Sequence, residues 1–206
     1  MNQPDPDIES DSAPAPATLS PEALEDALRL AEAMVFAAGA PVGVRALANL
    51  LPVGVDTDAI VAALRERYAG RGVELVEVAG GLQFRTAPDL APRLRRVVVV
   101  PRRLPRAAME TLAIIAYHQP VTRAEIEQIR GASLSQQTLD SLLELGLVTP
   151  KGHKEAPGRP TLWATTPGFL VQFGLRELRD LPRREDLLVE PPSPLPDPAS
   201  AAPTGG

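Results

Sequence analysis

Apolar residues recur at helical spacing in three short segments near the start of the chain. The first covers 24–35 behind Ser20, a residue type that accepts hydrogen bonds at helix N-termini. The second covers 44–51 and stops at a proline, and the third begins after Asp56, which is also an N-capping type. The pattern therefore predicts three consecutive helices.

The segment after the third helix changes to a β-rich pattern. VELVEVAGGLQFRT, residues 73–86, places two β-rich runs around Gly80-Gly81, and a glycine pair suits the tight turn of a hairpin. Three helices followed by a hairpin are typical of a winged-helix domain, which is a variant of the helix-turn-helix.

The same pattern returns about 80 residues later, which indicates an internal duplication. Corresponding positions keep their apolar or proline character. The matching pairs include Val35 with Ile114, Pro41 with Pro120, Val42 with Val121, Leu47 with Ile126 and Ile60 with Leu139. We therefore expect a second set of the same elements.

The second unit carries clear helix signals. Pro105 is expected to open its first helix, Thr122 and Glu125 form a capping box for the next, and Ser135 caps the third, which ends at Gly146. These signals predict three helices in the order seen in the first unit.

A second wing and one more helix are predicted after those three helices. Val148 and 162–165 supply the strands of the wing. Thr166 caps the last helix, and its Phe169 and Phe173 are expected to pack back on their own domain.

Together these elements predict a mainly α fold with small β-wings, an α+β arrangement of two tandem winged-helix domains. We place the N-terminal domain at 19–100 and the C-terminal domain at 104–185. The acidic, Pro/Ala-rich 1–18 and the Pro-rich 186–206 lack the apolar content of a core, and we expect both to be disordered tails.

Composition narrows the classes of function. The 206-residue chain has a formal net charge of −5 and no cysteine, which removes disulfides and thiolate sites and favours a cytoplasmic location. We expect no signal peptide, because the N-terminus lacks a basic and an apolar region, and no segment is long enough for a membrane helix. Much of the acidity lies in the tails, so the middle of the chain is mildly basic.

Side chains that could support catalysis are few and scattered. His118 and His153 belong to no metal-binding motif, and no phosphate-binding or nucleophile motif occurs. Glu125 is assigned to the capping box, and Glu127 is expected to face solvent. The sequence therefore predicts no enzyme, no cofactor and no metal site.

A winged helix raises the expectation of DNA binding through its third helix. In the second unit this helix carries Asp140 and Glu144 but no Lys or Arg, so phosphates would repel it. Six arginines surround the junction between the units: Arg93, Arg95, Arg96, Arg102, Arg103 and Arg106. They form either a solvated surface or a site of weak, sequence-blind phosphate contact.

Three strings resemble a known family. ETLAIIAYHQPVTRAEIEQIRG covers 110–131, GRPTLWATTPGFLVQFGL begins at Gly158, and DLP begins at Asp180. They are similar to segregation and condensation protein B, and the resemblance extends over roughly 23–182 and leaves only the tails unmatched. The start of the second wing, 149–154, and Trp163, where Tyr is common, depart from the usual pattern.

The resemblance implies a non-catalytic scaffold that forms a homodimer through its N-terminal domain. It further implies binding to the kleisin subunit, segregation and condensation protein A, and through it to the SMC ATPase of a bacterial condensin-like complex. Such a complex serves chromosome condensation and partition during cell division, and DNA would be contacted indirectly or weakly. The leading alternative is a winged-helix DNA-binding transcriptional regulator.

The matching strings also imply where the kleisin would bind. They are the AYHQPVTR stretch and the GRP-containing wing, together with the helix that follows the wing. The residues assigned to this surface are Tyr117, His118, Gln119, Pro120, Arg159, Pro160, Leu162 and Phe169.

Overall fold

The computed structural model describes residues 20–94 and 104–183. The first segment contains α1 (Pro21–Ala37), α2 (Val44–Leu50), α3 (Thr57–Tyr68), β1 (Val73–Val78), β2 (Gly81–Thr86) and α4 (Ala91–Leu94). The second contains α5 (Arg106–His118), β3 (Val121–Thr122), α6 (Arg123–Arg130), α7 (Gln136–Glu144), β4 (Val148–His153), β5 (Thr161–Thr165) and α8 (Pro167–Phe173), and then a 3-10 turn (Leu178–Asp180). The chain thus folds as two tandem winged-helix units of the α+β class. The expected tails and the outer limits proposed for the two domains lie outside the described residues.

The helix starts follow the predicted capping chemistry. The Ser20 hydroxyl accepts from the Ala23 N–H at 3.2 Å, and the Asp56 carboxylate accepts from the Asp58 N–H at 3.0 Å. Thr122 forms the predicted capping box at the start of α6. In each case the side chain satisfies an N–H that has no partner within the helix.

Two helix ends in the second unit differ from the prediction by one residue. Pro105 is the N-cap of α5 and the helix begins at Arg106, while Leu145 is the C-cap of α7. Gly146, the predicted C-cap, follows with a φ of +65°, and its N–H donates to the Leu143 carbonyl at 2.8 Å. The glycine is therefore used for its left-handed conformation just after the helix.

The hairpin of the first unit turns at Ala79 and Gly80, and the prediction of Gly80-Gly81 was wrong by one residue. Val78 lies opposite Gly81 in the antiparallel ladder, and the two turn residues have φ angles of +50° and +71°. Gly81 is needed for another reason. A Cβ at this position would lie 2.9 Å from the Pro41 carbonyl carbon, so only glycine allows that approach.

A further antiparallel pairing joins each wing, and the sequence did not predict it: it is a short third strand in the second unit and a single bridge in the first. In the second unit β3 pairs with β5, which places Val121 opposite Trp163 and gives the strand order β3-β5-β4. In the first unit Val42 exchanges two backbone hydrogen bonds of 2.8 Å with Leu82. Because Val42 and Val121 are matching positions of the repeat, the pairing supports the duplication.

Each unit has its own core. Among the fully buried side chains, Leu47, Ile60 and Leu64 belong to the first core, and Leu112, Ile115, Ile126 and Leu142 belong to the second. Burial of each such side chain contributes about 1.5–3 kcal/mol to the free energy of folding. Each core therefore stabilises the packing of the helices and the wing in its own unit.

Helix α8 packs back on the second unit, as predicted. The Thr166 hydroxyl accepts from the Phe169 N–H at 3.2 Å, and Gly174 ends the helix with a φ of +70°. Phe169 is only 3% exposed, and its ring centroid lies 4.8 Å from that of Phe173. Within 20–94 and 104–183 no helix is long and apolar enough to cross a membrane.

Candidate protein-binding surface

An apolar groove runs between α5 and α8 of the second unit. Met109, Ala113 and Tyr117 are four residues apart on α5, so they form one exposed stripe along one wall. Phe173 of α8 and Leu181 form the opposite side. Leu112, Ala116 and Phe169 make the floor, and the volume of the groove is about 110 Å³. We call this feature the α5–α8 groove.

Tyr117 connects the groove to the end of the described chain. Its hydroxyl donates to the Pro182 carbonyl at 2.7 Å, and 44% of the residue remains exposed. The hydrogen bond fixes the ring at the rim of the groove, where it is available to a partner. Phe169, in contrast, is buried beneath that rim, and Phe173 offers the exposed aromatic ring of α8.

A second depression lies on the other side of the α5 C-terminus. His118, Pro120, Glu125 and Ile129 are among its lining residues, and its volume is about 430 Å³. His118 is the last residue of α5 and is exposed, while Pro120 follows a cis peptide bond. The AYHQPVTR stretch thus divides between two concave surfaces, with Tyr117 on one and His118 on the other.

Gln119 has an internal structural role. Its side-chain oxygen accepts from the Thr165 N–H at 2.7 Å and from the Thr165 hydroxyl at 3.0 Å. Its side-chain nitrogen donates to the Ala116 carbonyl at 3.3 Å. Gln119 therefore joins the end of α5 to β5, and this holds the groove and the wing in a fixed relation.

The wing residues of the predicted surface lie on the β4–β5 hairpin. Arg159 is exposed in the connecting loop with a φ of +41°, and its N–H donates to the Ala156 carbonyl at 2.8 Å. The Pro160 carbonyl accepts from the Lys154 N–H at 2.9 Å. Leu162 is half-buried in β5 opposite Thr122.

An ion pair ties this wing to α6. The Lys154 ammonium lies 2.6 Å from a Glu125 oxygen, and Thr122 donates to the other oxygen through its N–H and its hydroxyl, both at 2.8 Å. Lys154, and then these two Thr122 groups, lower the pKa of Glu125 to about 2. Glu125 therefore serves both the helix cap and the wing.

Glu127 does not face solvent freely, contrary to the sequence prediction. It is half-buried, and its carboxylate accepts from the Leu134 N–H at 2.9 Å and from Arg123 at 3.3 Å. The Leu134 N–H and then Arg123 lower its pKa. The carboxylate fixes the loop between α6 and α7, which sequence spacing alone did not indicate.

The basic residues around the junction are only partly described. Arg93 is exposed on α4, and Arg106 is exposed and bonds Glu110 at 2.8 Å. Arg95, Arg96, Arg102 and Arg103 lie outside the described residues. Across the described segments, no group of three or more His, Asp or Glu side chains is placed to hold a metal ion.

Sequence reasoning missed several groove residues. Met109 and Ala113 could have been found, because they are spaced at four-residue intervals before Tyr117. Leu181 lies in the matching string DLP, but nothing local placed it at the groove, since it reaches the groove only through the turn after α8.

A family model and individual relatives of this chain point to the same protein family. Residues 29–184 match the family described as segregation and condensation complex subunit ScpB. Segregation and condensation protein B of Moorella thermoacetica is 49% identical over 168 residues, which cover 79% of this chain and 85% of that protein. The Bacillus subtilis protein of the same name is 40% identical over 171 residues, which cover 78% of this chain and 86% of that protein. A solved dimer of an ScpB N-terminal domain with an ScpA peptide is 28% identical, covers 37% of this chain and 99% of that chain, and has a TM-score of 0.34.

Proposed function

Because this chain belongs to the segregation and condensation protein B family, we propose that it is a non-catalytic scaffold of a bacterial SMC–kleisin complex. It forms a homodimer through its first unit and binds the kleisin, segregation and condensation protein A, through its second. The SMC ATPase is reached through the kleisin, and DNA is contacted indirectly or weakly. The complex acts in the cytoplasm, at the nucleoid, in chromosome condensation and partition.

The α5–α8 groove is the observation that carries the kleisin proposal. It is concave, lined by apolar side chains of two helices, and has Tyr117 and Phe173 exposed at its rim. An apolar groove between helices suits the apolar face of a partner segment. Binding energy in such interfaces concentrates in a few aromatic or Arg anchors, and Tyr117 is of this type.

The outer face of α1 supports the homodimer. Phe36 is 81% exposed near the end of this helix, and Leu30, Ala33 and Ala37 are also exposed. A helix that is apolar or small on most of its circumference usually has a second neighbour to pack against. Covering a Phe ring contributes about 2 kcal/mol, and a twofold interface covers two of them.

The charges of the third helices support a role other than reading DNA sequence. In α7, Asp140 and Glu144 occur without any Lys or Arg. In α3, Arg67 donates to both oxygens of Glu25 at 3.0 and 2.6 Å, and Arg65 lies 3.6 Å from Glu77. These arginines are neutralised within the unit, which leaves little positive charge for phosphates.

Two solution measurements test the proposal. In light scattering after gel filtration, the full chain should elute as a dimer and should shift to a larger complex when the kleisin is added. In a gel shift, random and genomic duplexes should be bound equally weakly. Sequence-selective binding that survives about 200 mM salt would favour the transcriptional regulator, because binding by phosphates alone weakens steeply at that salt.

A further inference from the structure

The two units meet at a specific joint between the hairpin of the first unit and the C-terminal end of α8. The Ala79 N–H donates to the Leu175 carbonyl at 2.9 Å. The Arg85 guanidinium donates to the Val171 carbonyl and to the Gln83 side-chain oxygen, the latter at 3.2 Å. We call these contacts the hairpin–α8 joint.

The chemistry of both partners suits this contact. Val171 lies in the last turn of α8, where its carbonyl accepts from the Gly174 N–H at 3.3 Å and keeps a second lone pair for Arg85, and where the helix dipole favours a cation. On the other side, Ala79 and Gly80 form a turn in which both φ angles are positive, so the Ala79 N–H points away from the hairpin. A donor and a cation from one unit therefore meet the carbonyl-rich end of a helix in the other.

Two further observations indicate that the contact between the hairpin and α8 is specific. Gly174 has a φ of +70°, and a Cβ there would lie 3.0 Å from Arg85 Nη1, so the glycine makes room for the guanidinium. Glu77 of β1 is also close enough to Arg176 to raise the pKa of that guanidinium, although Asp180 is the main cause. The space at Gly174 and the attraction between Glu77 and Arg176 thus both favour contact of the hairpin with the end of α8.

We infer that Arg85 is a positioning residue that docks the first unit onto α8 and so fixes one wall of the α5–α8 groove. The joint and the groove share this helix. Phe169 and Phe173 line the groove, while the carbonyl of Val171 and that of Leu175, just after the helix, accept hydrogen bonds from the first unit. A change at the joint therefore shifts the groove wall. Because coupling between two sites is reciprocal, a ligand in the groove also alters the joint.

Amide exchange of the full chain tests the joint directly. The Ala79 N–H should exchange at least about tenfold more slowly than an unstructured amide, and Arg85→Met should remove most of that protection. The Leu82 N–H is the internal control, because its acceptor is Val42 within the first unit. Arg29→Met, at an exposed arginine on α1, is the matched control and should change neither amide.

The ratio of the two amide protections is the readout. A fall of Ala79 protection relative to Leu82 in Arg85→Met supports the joint, even if the variant also destabilises the first unit. An Ala79 amide that exchanges at the unstructured rate in the parent chain, or a ratio unchanged by Arg85→Met, overturns it.

The effect on the groove rests on the proposed kleisin binding. Arg85→Met should weaken binding of the kleisin several-fold, although Arg85 lies in the other unit. If Ala79 protection is lost while kleisin affinity stays the same, the coupling to the groove is refuted and the joint itself stands. The exchange measurement needs no partner, so its failure is distinct from a failure of the proposed function.

Discussion

Truncation of Tyr117 tests the groove at its most exposed aromatic ring. An aromatic side chain covers roughly 200 Å² when fully buried, and 44% of Tyr117 is still exposed. A partner seated on the ring would therefore remove about 90 Å² from water, which contributes about 2 kcal/mol at roughly 25 cal/mol per Å². That energy corresponds to a factor of about 30 in affinity. We expect Tyr117→Ala to weaken kleisin binding at least about tenfold.

The companion variant Tyr117→Phe separates the ring from the hydroxyl. It removes only the bond to the Pro182 carbonyl, which costs at most about 1 kcal/mol of stability at this exposed position. Kleisin affinity should then stay close to that of the parent chain. Isothermal titration gives the affinities, and circular dichroism with gel filtration controls for folding. A folded Tyr117→Ala protein with unchanged affinity would refute the groove.

Three other predictions concern residues outside the α5–α8 groove. Phe36→Asp should convert the dimer to a monomer in sedimentation, because it places a charge on the outer face of α1; a dimer that persists would move the interface elsewhere. Arg159→Ala should weaken kleisin binding about tenfold and Lys151→Ala should not, so equal effects in titration would argue against the wing contact. Because the pKa of folded Glu125 is about 2, below its ordinary 4.5, its stabilising effect is present above pH 4.5 and is lost as pH falls toward 2. Lys154→Ala should reduce this loss, measured as the change in urea midpoint between pH 6 and pH 3.

Local signals in the sequence predicted most of the helices. Ser20, Asp56, Thr122 and Ser135 each cap the helix that was assigned to them. Capping depends on a side chain and N–H groups two or three residues away, so it can be predicted from the sequence without knowledge of the tertiary structure. The two-residue strand β3 and the four-residue helix α4 are too short to show a period, and both were missed.

The sequence predicted only part of the candidate surface, because several of its contacts join segments that are distant along the chain. Tyr117 was selected from a matching string, but its hydroxyl bonds a residue 65 positions away. Glu127 was expected to face solvent, yet the loop after α6 folds over it and supplies the Leu134 N–H. Contacts of this kind depend on how distant segments pack, which periodicity does not encode.

Hydrogen–deuterium exchange of the full chain, with and without the kleisin, is the most direct test of where the partner binds. Binding in the groove should add protection to peptides that cover the exposed stripe of α5 and the segment from α8 to the 3-10 turn. Helix α7 should change little, because its Asp140 and Glu144 lie outside the groove. Protection confined to the first unit, or to the α6 depression lined by His118 and Ile129, would contradict binding in the α5–α8 groove.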